Sequence, residues 1–120
     1  MLVATPPPPT IVIGRSIGGI ELRMSEAAVR SRLGAPVRIQ GRLLHFPLMD
    51  VVLRNGRVAS VSTHSARFRT KQGYGVGVPV AKLQGLSGLF CDLEPGGGTC
   101  TTKGIAFEFA HQRVTRVTVP

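Results

Sequence analysis

Ser62, His64 and Asp50 supply the three side-chain types of a nucleophile, its base and an orienting carboxylate. No Gly-x-Ser-x-Gly elbow presents the serine, and such types co-occur by chance in most chains. The sequence is therefore read as non-enzymatic, with no catalytic residue. Of His45, His64 and His111, none stands three or four positions from another ligand on a helix, so metal-ligand spacing is absent. Among the carboxylates the close pair is Asp92 and Glu94, read as part of a loop. Gly73-x-Gly75-x-Gly77 lacks the Gly-Lys-Ser/Thr ending of a phosphate loop and the spacing of a dinucleotide fingerprint. No cofactor is expected.

Cys91 and Cys100 enclose Asp-Leu-Glu-Pro-Gly-Gly-Gly-Thr, a stretch able to fold back on itself. A disulfide across it would add roughly 2–3 kcal/mol and points to an oxidising compartment. Two free thiols in a cytosolic protein is the competing reading. The net charge of +9 is uneven: Arg15 to Lys71 holds 11 basic and 3 acidic residues, Gln72 to Pro120 holds 4 and 3. Such a field favours anionic partners, nucleic acid or an acidic surface, with Arg67, Arg69 and Lys71 as candidate contacts. Phe68 and Tyr74 are the aromatics beside them, fewer than single-strand binders use for base stacking. No run of 18 apolar residues is present, so no transmembrane segment is expected.

The elements that must carry these residues are short. Thr5 to Thr10 contains four consecutive prolines, and residues 1–16 read as a stiff tether, with Ile11–Gly14 able to add an edge strand. Ser25 is a good N-cap, Glu26 suits the positive end of a helix, and Val29 and Leu33 share a face. Gly34 and Pro36 end that helix, predicted over 25–33. From Val37 the period changes to two. Asn55-Gly56, flanked by β-rich runs, predicts a hairpin with a type I′ turn. Alternation points Leu44, Phe46, Val51, Leu53, Ala59 and Val61 at the helix.

The pattern recurs. Arg57-Val58-x-x-Val61 is answered by Arg113-Val114-x-x-Val117, and Val51-x-Leu53 by Phe107-x-Phe109. Residues 73–88 echo 19–34, with Pro79 at the start of a second predicted helix and Gly85 weakening it. Gly19-Ile20-x-Leu22-x-Met24-Ser25-Glu26-x-x-Val29-x-x-x-Leu33-Gly34-x-Pro36, followed by Asn55-Gly56-Arg57-Val58-x-x-Val61, resembles the repeating unit of small exported bacterial proteins. These include the beta-lactamase inhibitor protein and the small outer-membrane lipoprotein of the barrel-assembly machinery. That resemblance implies helices packed on one face of an antiparallel sheet, and tandem units joined into one concave, protein-binding surface.

The expectation is thus an α+β protein of two tandem helix-on-sheet units, residues 17–69 and 70–120, behind the 1–16 tether. It is expected to act outside the cell or in the envelope, given a signal or anchor upstream of residue 1. Its partner would be another protein, met by the sheet face away from the helices: His45, Arg54, Ser60, Ser62, Glu108, Arg116 and Thr118. A register slip of one residue would invert that set.

Overall fold

A computed structural model describes residues 8–120. Eight strands form one antiparallel sheet: β4 (Arg38–Gln40), β5 (Leu43–His45), β6 (Asp50–Arg54), β7 (Arg57–Thr63), β8 (Phe90–Glu94), β9 (Gly97–Thr102), β10 (Ile105–Ala110) and β11 (Arg113–Val119). Their order is β4-β5-β6-β7-β11-β10-β9-β8, two four-stranded meanders meeting at β7 and β11. A smaller sheet of β1 (Ile11–Val12), β2 (Ser16–Ile17) and β3 (Ile20–Glu21) precedes them. The architecture is mainly antiparallel β, which corrects the expected α+β class.

The first helix, α1, spans Glu26–Leu33. Ser25 Oγ accepts from Ala28 N at 3.2 Å, and Arg30 reaches Glu26 one turn away at 3.0 Å. The second predicted helix is a six-residue 3-10 helix, Val80–Gly85, and not an α-helix. Pro79 offers no side-chain cap, the first turn holds no acid, and no Glu–Arg pair spans a turn. A Cβ at Gly85 would stand 2.8 Å from the Tyr74 hydroxyl, so the end of that side chain would have to shift.

One side of the large sheet carries the core. Leu44, Val51, Leu53, Val58, Val61, Ile105, Phe107, Phe109, Val114 and Val117 face Ile11, Ile17, Ile20, Val29, Phe68 and Leu83 from the small sheet, the helices and the 64–79 connection. Of the expected tether, residues 1–7 lie outside the described part. Its remainder is built into the fold: Ile11 is buried, and Arg69 N donates to Pro9 O while Ile11 N donates to Arg69 O.

Strand alternation holds except at a bulge. Val52 pairs with Ser60 and Leu53 with Val58, so Ala59 is the extra residue on β7. Val58 is buried where period two pointed Ala59 inward. Thr115 on β11 occupies the same place, between Glu108–Arg116 and Phe109–Val114. The bonds around the two hairpins also match. Arg23 N donates to Val58 O, Val58 N to Met24 O, and Arg57 Nη1 to Arg23 O. Likewise Gly77 N donates to Val114 O, Val114 N to Val78 O, and Arg113 Nη1 to Gly77 O.

Candidate functional site

Among the described residues no element covers the second side of the large sheet, and the polar side chains gather there. Cross-strand partners set a row across it: His45 on β5 opposite Asp50 on β6, Asp50 opposite Ser62 on β7, and Ser62 opposite Thr118 on β11. Arg116 and Glu108 form the next row, where β11 pairs with β10.

Asp50 is the hub, its side chain 13% exposed. His45 Nδ1 donates to Asp50 Oδ1 at 2.8 Å, and His45 Nε2 lies 3.0 Å from Gln40 Oε1 on β4. Arg116 Nη2 stands 3.5 Å from Asp50 Oδ2 and donates to Ser62 Oγ at 2.7 Å, while its Nε faces Glu108 Oε2 at 3.7 Å. His64 Nε2 lies 3.8 Å from Asp50 Oδ2, on a side chain 63% exposed. A polar chain therefore runs from β4 to β10, and Asp50 joins the two meanders through Arg116. A carboxylate so far withdrawn from water needs these donors, because an unpaired one would carry its full desolvation cost. The same contacts hold His45 and Arg116 in fixed positions.

Ser62, His64 and Asp50 are thus neighbours in space. Ser62 is buried, and its Oγ is engaged by Arg116, with no hydrogen bond to either histidine. Among the described residues no group of three or more His, Cys, Asp or Glu is arranged to hold a metal ion.

Of the seven sheet-face residues named from sequence, the structure links His45, Ser62, Glu108 and Arg116. Thr118 lies beside Ser62 in the row. Arg54 sits at the far end of its hairpin, opposite Arg57, and Ser60 opposite Val52, both outside the network. Sequence reasoning left Asp50 and Gln40 off the face. Asp50 shares the parity of Val52 and Arg54 on β6 and is the sole acid between Glu26 and Asp92. That isolation was the available signal.

The basic candidates lie elsewhere. Arg69 Nη1 donates to Gly73 O at 3.3 Å, and Arg67 N donates to Ser65 Oγ. Arg69 and Lys71 line a cleft of about 720 Å³ with Pro9, Thr10 and Val12. Gly75, within the glycine series, lies against Phe68 O, where a Cβ would stand 2.5 Å away, so close packing accounts for it. Cys91 and Cys100 face each other across β8 and β9 and are disulfide-bonded. The stretch between them, read as a loop able to fold back on itself, is a β-hairpin. No helix of the described residues is long and apolar enough to cross a membrane.

No family model, curated protein or solved structure matches the chain.

Proposed function

We propose that this chain is a non-catalytic, exported or envelope-associated module that binds another protein through the uncovered side of its eight-stranded sheet. The observation that carries this reading is the Gln40–His45–Asp50–Arg116–Glu108 chain, fixed across the face before any partner arrives. Side chains already held in place lose little conformational freedom on binding, which favours recognition by a folded partner. The disulfide supports an oxidising setting. The matching bonds around Arg57 and Arg113 support a tandem duplication, and with it the resemblance to the exported tandem-unit superfamily.

Thr118→Arg places a bulky side chain in the central row at a residue that forms none of the ion pairs, and Arg54→Glu with Arg116→Glu inverts charge on the same side. Wild-type protein, immobilised and exposed to an envelope extract, is expected to retain a partner that both variants lose. Folded variants that retain the same partner would rule out this face.

A second reading, anion or nucleic-acid binding, is favoured by the cleft that Arg69 and Lys71 share. Binding to DNA or acidic vesicles that survives physiological salt, with a steep salt slope abolished by Arg69→Gln with Lys71→Gln, would select it.

A further inference from the structure

Among the described residues the large sheet is open at both ends, and its two edges differ in charge. β4 is exposed along its length; Val37 beside it is 70% and Ile39 54% exposed. Arg38 and Arg42 flank these apolar side chains, and no acid occurs between Glu26 and Asp50. At the opposite edge, β8 exposes Phe90 at 70% and Leu93 at 72%. Here the charges are Asp92 and Glu94, and no Lys or Arg occurs between Lys82 and Lys103. A bare edge with apolar side chains is a template for strand addition.

We propose that the occupant of each edge is a second copy of this chain, docked head to tail, with β8 of one molecule against β4 of the next. The topology permits it directly. Each of the seven neighbouring strand pairs is antiparallel, so β4 and β8 run in opposite directions. A copy displaced along the sheet, following its twist, therefore sets its β4 antiparallel to β8 with like sides aligned.

The side chains then match. On the uncovered side β4 presents Arg38, in the row of His45, and Gln40, in the row of Leu43, while β8 presents Asp92 and Glu94, in the rows of Glu108 and Ala110. On the core side β4 presents Ile39 and β8 presents Leu93, in line with Leu44 and Phe109. Setting Leu93 against Ile39 of the second copy places Glu94 opposite Arg38 and Asp92 opposite Gln40, one step from Arg42. The symmetric alternatives are unfavourable: β8 against β8 confronts acids with acids, and β4 against β4 confronts arginines with arginines. A head-to-tail contact of this kind does not close on itself at two subunits, so assembly continues past a dimer. This inference rests on the two edges of the sheet, whereas the protein-binding reading above rests on its face; Gln40 on β4 is common to both.

Light scattering or sedimentation velocity on the full chain, at low salt and from micromolar to millimolar concentration, tests it. Wild-type mass is expected to rise with concentration beyond a dimer and to fall on adding salt. Arg38→Glu with Arg42→Glu, and separately Asp92→Lys with Glu94→Lys, should each weaken self-association by about tenfold or more. An equimolar mixture of the two variants should associate again, because each supplies the edge the other lacks. Circular dichroism verifies folding, and the neutral Arg38→Gln and Asp92→Asn changes should shift the mass in the same direction by less. A wild-type chain that stays monomeric, a mass that stops at a dimer, or either charge-reversed pair associating as wild type does would overturn the proposal.

Discussion

His111 and Gln112 join β10 to β11 with φ of 51° and 67°. Both are left-handed conformations, which cost a residue bearing a Cβ roughly 1–2 kcal/mol. The turn between β6 and β7 has the same geometry, φ 53° and 75°, but fills it with Asn55 and Gly56. Transferring that pair, as His111→Asn with Gln112→Gly, should therefore stabilise the protein. Both replaced side chains are exposed, and the turn's bonds, His111 N to Gly96 O and Val80 N to Gln112 O, are made by the main chain. The gross relief is about 2–4 kcal/mol for two residues. Asparagine still bears part of the strain, and glycine returns about 0.5–1 kcal/mol through a freer unfolded chain. The net gain is about 1–2 kcal/mol. Urea unfolding with the disulfide intact should show a higher midpoint at unchanged slope. The thermal midpoint should rise by about 4 °C per kcal/mol for a chain of 120 residues. The reciprocal change, Asn55→His with Gly56→Gln, should lose a similar amount. An unchanged or lower midpoint for the first variant, or a reciprocal variant as stable as wild type, would refute the strain argument.

Two further outcomes are expected. Replacing Cys91 and Cys100 by serine should lower stability by about 2–3 kcal/mol in urea, and reduction of the wild type should give the same loss. Asp50→Ala removes the acceptor of His45 and a partner of Arg116; it should cost about 1–3 kcal/mol and alter the His45 ring resonances in NMR spectra, changes that Arg54→Ala should not produce.

Local signals carried much of the fold because each was over-determined. Ser25, Glu26, Gly34 and Pro36 agree on one helix, and Asn55-Gly56 fixes a turn that alternating residues on both sides support. The side on which Arg54 lies was legible for the same reason, since β6 keeps strict period two from Asp50 to Arg54. What escaped depends on contacts distant in sequence. The bulge at Ala59 is invisible to periodicity. Gly97 and Gly98 read as loop residues, yet they lie in β9 because the Phe109 carbonyl and ring and the Asp92 carbonyl press against them. The second helix failed for want of a cap. Asp50 emerged as a hub only once β7 and β11 were neighbours, which brings Arg116 beside Ser62, 54 positions away.

The order of strands in space differs from their order of synthesis in one respect. β11 is the last strand along the chain, yet it occupies the middle of the sheet and meets β7 through three residue pairs, Val61–Val119, Ser62–Thr118 and Thr63–Val117. A nascent chain that has emerged only as far as Ala110 therefore holds a finished first meander with a raw central flank, and nothing yet to seal it. Closure waits for residues 113–119, so a product that stops at Ala110 is left sticky along the β7 flank.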